Sequence, residues 1–316
     1  MKEGKRSSSI LLYAIKRLLM IIPLLFLITT AVFIILNFAP GDPAVLMLGP
    51  EATNEKVEQL RNELGLNNPW HIQYWDFIKN LILNKSLGRS YQNGRPVIHE
   101  IAKALPISAL LAIVAIIISS VVAIMLGVLS AVKQYSFIDS LTKVIVLAGV
   151  SMPVFWLGLV LIIIFSVYLG ILPSCGWGGG WKYLVLPAIT LSTSPLAQIC
   201  RLTRSSMLEV IRQDYITTCR AKGLPEKLII FRHALRNTSI PVVTLIGVRL
   251  GNIMTGSVLT ETIFAIPGLG RLTVTAVYAR DYTMIRGSIL TIAAIFAIMN
   301  LIVDLSYSLM DPRIKY

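Results

Sequence analysis

The chain has 316 residues, 55% hydrophobic and only 14% charged, with a mean hydropathy of +0.73. A soluble domain carries about 25% charged residues, so a water-soluble globule is excluded. The net charge of +13 does not mark nucleic-acid binding: the bases gather at Lys2, Lys5, Arg6, Lys16 and Arg17, between 201 and 236, and at Arg313 and Lys315, the distribution that the positive-inside rule gives a membrane protein.

The first apolar run, 18–36, follows a basic start. It is longer than the roughly 7–15-residue core of a secretory signal, and no small-x-small cleavage site follows, so it reads as a retained span. Six segments approach or exceed the roughly 20 residues that cross a bilayer: 15–37, 105–132, 141–169, 183–200, 240–260 and 287–309. An even number puts both termini on one side, the cytoplasmic side by their basic residues. The expectation is an all-α integral membrane protein in three parts: a first span with an outer loop (1–104), a membrane domain (105–309) and a cytoplasmic tail (310–316). Pro187 and Pro195 interrupt the fourth span; a membrane helix tolerates proline where neighbours satisfy the freed carbonyls.

The polar segment 40–103 faces outside. Residues 55–63 read as a short helix ending near Gly65, and Trp70, Tyr74, Trp75 and Phe77 are spaced to lie along the membrane interface or to pack a small cap. SCGWGGGW, before the fourth span, suits an interfacial turn anchored by Trp177 and Trp181 better than a carbohydrate site. Segment 205–237 lies between two spans on the cytoplasmic side. In it Met207, Val210, Ile211 and Tyr215 recur at helical spacing. Gly223 is placed to end that helix. Leu224 precedes Pro225 and is biased away from helix, and Pro225 with Glu226 suits a new first turn. Two short helices with a tight hinge can receive a push from a soluble partner. Beyond the fifth span, TETIFAIPGLGRL forces tight turns, and Ile263, Phe264 and Ile266 are apolar enough to dip back toward the bilayer.

Chemistry-bearing patterns are few. No GxxxxGK[ST] loop occurs, so no nucleotide should bind here. No Ser/His/Asp or paired-carboxylate arrangement stands out, so no catalytic residue is assigned. Cys175, Cys200 and Cys219 lack CxxC spacing, and His71, His99 and His233 are scattered, so neither a metal site nor a bound cofactor is expected. Asp304, near the inner end of the last span, is the single buried acid expected, snorkelling or pairing with a base of the cytoplasmic loop. Arg249 is the most unusual span residue. Arginine at a helix centre costs about 2.5–3.5 kcal/mol, against about 0.3–0.6 kcal/mol returned by each Leu, Ile, Val or Phe. Its span also carries Asn252 and Thr255, so it belongs inside a bundle or beside water. Arg249, Asn252 and Thr255 are therefore candidate path residues; a structural partner for an acid or a helix C-terminus is the other reading of Arg249. Gly247 and Gly251 suit close helix packing.

The chain resembles the permease subunits of ATP-binding-cassette importers for peptides, specifically the first of the two permeases of dipeptide and oligopeptide systems. The resemblance rests on FAPGDPA (38–44), LGLNNPWHIQYWDF (64–77), SLGRSY (86–91), RSSMLEVIRQDYITTCRAKGL (204–224), RHALRNTSIPVV (232–243), TETIFAIPGLGRL (260–272) and DPRI (311–314). It implies a type I importer permease fold in the cell membrane, forming half of a translocation path for di- or oligopeptides. The implied partners are a second permease subunit, two ATP-binding subunits that hydrolyse ATP, and an extracytoplasmic substrate-binding protein, with membrane lipid around them and no nucleic acid. In such importers a Glu-Ala-Ala, three residues, Gly, nine residues, Ile-x-Leu-Pro motif docks on the ATPase. Here Thr217, Thr218 and Cys219 replace Glu-Ala-Ala, Gly223 matches, His233 and Leu235 take the Ile and Leu places, and Arg236 replaces the proline. The implied coupling loop comprises Asp214, Thr217, Thr218, Cys219, Arg220, Ala221, Lys222, Gly223, His233 and Leu235. A nickel or metallophore permease of the same superfamily would share these motifs. A proton-coupled secondary transporter would want a relay of buried acids.

Overall fold

The computed structural model describes residues 2–38, 42–49, 52–178 and 180–310. The side chains of residues 2–13, the middle of the FAPGDPA motif and the tail with DPRI lie outside the described residues. Among the described residues, five helical runs are long and apolar enough to cross a membrane. They are Ala14–Phe38 within α1 (Lys2–Phe38), α5 (Val97–Val132), α8 (Lys182–Ile211), the run Glu226–Gly256, and Tyr282–Leu305 within α14 (Tyr282–Met310).

The expected third span is not one straight helix. α6 (Phe137–Ser151) and α7 (Val154–Leu161), the latter extended by a π-helical turn to Tyr168, meet at 105°. Pro153 lacks an N–H to continue α6, and Met152 before it is extended (φ −82°, ψ 128°). The pair nevertheless crosses once. α5 and α8 end together, where Arg204 Nε donates to Ser130 Oγ at 3.0 Å. They also start together. Gly176, just before α8, donates to Phe264 O at 2.8 Å, in the turn that α5 holds through Ser108 and Glu261. The chain must therefore return from the end of α5 to the start of α8, so the bent pair counts as one span, the sixth among the described residues.

Two other boundaries move. α8 passes both Pro187 and Pro195, which are buried among neighbouring helices, and continues to Ile211. The fifth run starts at Glu226 as α10 (Glu226–Leu228), passes through a π-helical turn (Ile229–Ala234) and becomes α11 (Leu235–Gly256). The expected second short helix is thus the protruding start of a span.

The main core lies between α5, α8, α7 and α11, where Ala112, Ala115, Ala123, Ala188 and Ala197 are buried. Small residues let backbones approach where lipid gives no hydrophobic drive between helices. A Cβ on Gly127 would lie 2.7 Å from Thr203 Cβ. Gly247 and Gly251 likewise face Val303 and Met299 of α14. At the end of the bundle where α5 starts, α2 (Pro43–Leu48), α3 (Asn54–Glu63) and α4 (Trp70–Leu83) form a cap. α4 lies along α1: Tyr74 bonds Thr30 across 2.7 Å and its ring meets Phe33 at 5.2 Å. Of the aromatic group, Tyr74 and Phe77 pack inward, while Trp70 and Trp75 are exposed.

The buried acids differ from expectation. Asp304 is paired with Arg17 of α1 at 3.1 Å and stays partly exposed, so its partner comes from the first span rather than the cytoplasmic loop. Among the described residues, Asp139, Glu261 and Asp281 are the buried ones.

Candidate coupling site

α8 stops at Arg212 because Gln213 turns extended (φ −77°, ψ 150°), and α9 (Asp214–Ala221) follows. Met207, Val210 and Ile211 therefore lie on α8 and Tyr215 on α9, yet all four pack into one small core with Ile216, Ile229, Ile230 and Ala234. Ile216 and Ile229 are fully buried. This core seats α9 against the end of the bundle. Asn237 Nδ2 adds a 2.7 Å bond to the Tyr215 hydroxyl.

The hinge is built as its sequence requires. Gly223 has φ +74°. Its N–H donates to Arg220 O at 2.9 Å, and Leu224 N–H donates to Cys219 O at 3.3 Å. These two bonds form a Schellman motif, which needs the left-handed residue that glycine supplies. Across the hinge, Arg220 grips Glu226 with two bonds, at 2.6 and 3.1 Å, and that contact raises the Arg220 pKa above its usual value. Asp214, Thr217, Thr218, Arg220, Ala221, Lys222 and Gly223 are exposed. Cys219, His233 and Leu235 are half-buried, with His233 inside the π-helical turn. Phe231, 57% exposed, stands at the same end. The result is a polar, rigidly seated platform with one protruding aromatic ring.

Next to it lies an ion cluster. Asp139, in the first turn of α6, accepts from Arg204 Nε and Nη2 at 2.8 and 2.9 Å, from Tyr135 N at 3.1 Å and from Ser130 Oγ. Lys143 Nζ lies 3.0 Å away. The cluster ties the α5–α6 turn to α8 just before the platform. Its sequence signal is Ser136-x-x-Asp139, a capping-box spacing; Ser136 Oγ accepts from Asp139 N at 3.4 Å.

Arg249, Asn252 and Thr255 lie together on α11. Arg249 sits two residues from each of Gly247 and Gly251, so it points away from the side that packs on α14. It is half-buried, and its Nε has no hydrogen-bond partner among the described residues. Asn252 is exposed, while the Thr255 hydroxyl turns back to Gly251 O and Asn252 O at 3.3 and 3.2 Å. Beyond the C-terminal end of α11, α12 (Val258–Ile263) and α13 (Leu269–Tyr278) hold a tight turn around Glu261. Its carboxyl accepts from Ser108 Oγ (2.7 Å), Ser257 Oγ (2.6 Å) and Arg271 N (3.0 Å). Phe264 and Ile266 are buried, so the dipping segment packs against protein.

The family of binding-protein-dependent transport system inner membrane components matches residues 123–316. Its N-terminal companion, the binding-protein-dependent transport system membrane component N-terminal region, matches residues 10–113. The chain belongs to this family. The dipeptide transport system permease protein DppB of Alkalihalophilus pseudofirmus is 42% identical over 97% of this chain and 100% of its own length. The glutathione transport system permease protein GsiC of Escherichia coli K12 is 40% identical over 96% of this chain and 99% of its own. The chain is thus a permease of the ATP-binding-cassette importer class, embedded in the membrane by several spans. Seen in this light, the sequence pointed to Gly223, to Glu226 as the start of the next helix and to the face of α9, but not to the Arg220–Glu226 pair, nor to Asn237, Asp139 or Glu261, whose partners lie 22, 65 and 153 residues away.

Proposed function

We propose that this permease forms half of an ATP-driven import path for di- or oligopeptides, working with a second permease, two ATP-binding subunits and an extracytoplasmic binding protein. The platform of α9 with its Gly223 hinge carries the proposal: its polar residues face outward while its apolar residues anchor it, as a docking helix requires. Two relatives whose names specify a dipeptide and glutathione favour peptide cargo over nickel or a metallophore. In this reading α9 and both ends of the chain are cytoplasmic, the cap is outside, the face of Arg249 and Asn252 lines the path, and the chain itself binds no cofactor and hydrolyses no ATP. The test is uptake of labelled dialanine and of nickel by cells expressing the whole transporter with or without this permease. Permease-dependent dialanine uptake supports the proposal; permease-dependent nickel uptake alone sinks it.

A further inference from the structure

Arg286, in the first turns of α14, is the least explained cation of the protein. It lines a cavity of about 320 Å³ beneath the outer cap. That volume falls in the range of small-ligand pockets, roughly 300–1,000 Å³. Its Nε is enclosed and has no hydrogen-bond partner among the described residues. Its guanidinium is not bare, however: Cζ lies 4.5 Å from the centroid of the Phe77 ring and 5.9 Å from that of Phe33. Aromatic rings satisfy the face of a guanidinium. They leave the in-plane fork of N–H donors, which matches a carboxylate.

Among the described residues, the other charges of the cavity do not supply that carboxylate. Asp42 is committed: it accepts from Arg61 Nε at 2.7 Å and caps α2 through Ala44 N at 2.9 Å. Arg61 also bonds Glu58 at 2.9 Å. Arg61 is thus held by two carboxylates, whereas among the described residues Arg286 has none, in a half-enclosed space that also presents Asn67, Trp70 and Tyr91. The structure keeps this charge in place at a cost, since an enclosed cation without a counter-charge is unfavourable.

We infer that the cavity under the cap is a carboxylate-binding site, and that its ligand is the C-terminal carboxylate of a short peptide held on Arg286 before it enters the path. The choice of a peptide rests on the proposed function; the carboxylate site rests on the cavity alone. A small free ligand fits better than a loop of another protein, because α4 and α1 cover Arg286 and the spaces it borders are cavities of about 320 and 480 Å³; Glu63 and Asp76 line the second of these but form no ion pair with Arg286.

The test uses the complete transporter in nanodiscs. Dialanine and its C-terminal amide are titrated by calorimetry, with Trp70 fluorescence as a second readout at the cavity wall. A charge-assisted bond contributes about 1.5–3 kcal/mol, so the amide should bind roughly 10- to 100-fold more weakly. Arg286→Gln should weaken dialanine by a similar factor and abolish the difference between the two ligands, and Arg286→Lys should restore part of it. If Arg286→Gln does not assemble, the wild-type comparison and Arg286→Lys decide. Equal binding of acid and amide, no binding of either, or an Arg286→Gln transporter that still prefers the acid overturns the site. Permease-dependent dialanine uptake with no such binding would remove this site and leave the proposed function standing.

Discussion

Asp139→Ala tests whether the α5–α6 turn must be tied to α8 for the platform to hold. Asp139 is fully covered by its neighbours, and Arg204 is about one-fifth exposed (22%). Removing the carboxylate strands Arg204, the Ser130 hydroxyl and the Tyr135 N–H at once. Breaking a buried pair costs about 3–5 kcal/mol. The lower figure, about 3 kcal/mol, applies here because the cluster lies at the end of the bundle and Arg204 keeps some water. Replacing both partners removes the stranded charge, so Asp139→Ala with Arg204→Met should recover about half of the loss or more. The assay is loss of monodisperse protein on heating in nanodiscs, beside dialanine uptake. The single variant should melt well below wild type and the double variant between them. Wild-type melting of Asp139→Ala, or losses that simply add, would refute the cluster as a structural tie.

Gly223→Val should assemble and lose uptake, because no atom lies within 4 Å of a Cβ there but φ is +74°, a strain of about 1–3 kcal/mol for a non-glycine residue. Gly223→Asn should retain most uptake, since asparagine tolerates that conformation; equal uptake by both variants would show that the hinge geometry is not needed. Gly268→Ala places a Cβ 2.5 Å from Glu261 Cδ and 2.6 Å from Ser108 Oγ. It should destabilise by about 1–3 kcal/mol, read as lower melting with unchanged membrane insertion. Arg249→Leu should leave assembly intact and depress uptake, most for peptides with a free C-terminus. Wild-type uptake would remove Arg249 from the path, and loss of assembly would make it structural.

The spans were legible because a bilayer imposes hydropathy over a fixed length, a property local to the chain. The bend at Pro153 was not, because an apolar run of the right length looks the same straight or broken. The fourth span was legible despite its two prolines, but its continuation to Ile211 was not, since only the fold shows Pro187 and Pro195 buried within one helix. Gly223 could be read because a left-handed cap is a local demand. The buried acids could not: Asp139 meets Arg204 65 residues away, Glu261 meets Ser108 across 153 residues, and Asp281 accepts from Ser90 across 191. Counting acids along the chain singled out Asp304, which the fold keeps partly exposed beside Arg17.

These contacts also determine how a push on α9 would travel. The run Glu226–Gly256 is a single helical body of 31 residues, about 46 Å long at 1.5 Å per residue. Eleven residues into it, Asn237 is bonded to Tyr215 of α9. At its outer end Ser257 is bonded to Glu261, which also accepts from Ser108 of α5. A rod moved at one end and pinned at the other pivots about the pin. Asn237 lies about 30 Å from Ser257 and Arg249 about 12 Å from it. A 3 Å shift at the platform should therefore move Arg249 by only about 1.2 Å. The π-helical turn at Ile229–Ala234 lies on the inner side of Asn237, so it can absorb rotation of α9 without shortening this lever. Spin labels at 237 and 249, each measured against a fixed label on α5, should change distance on ATP binding in a ratio near 2.5 to 1. Equal displacements would mean that α11 slides as a piston, and that Glu261 does not hold its outer end.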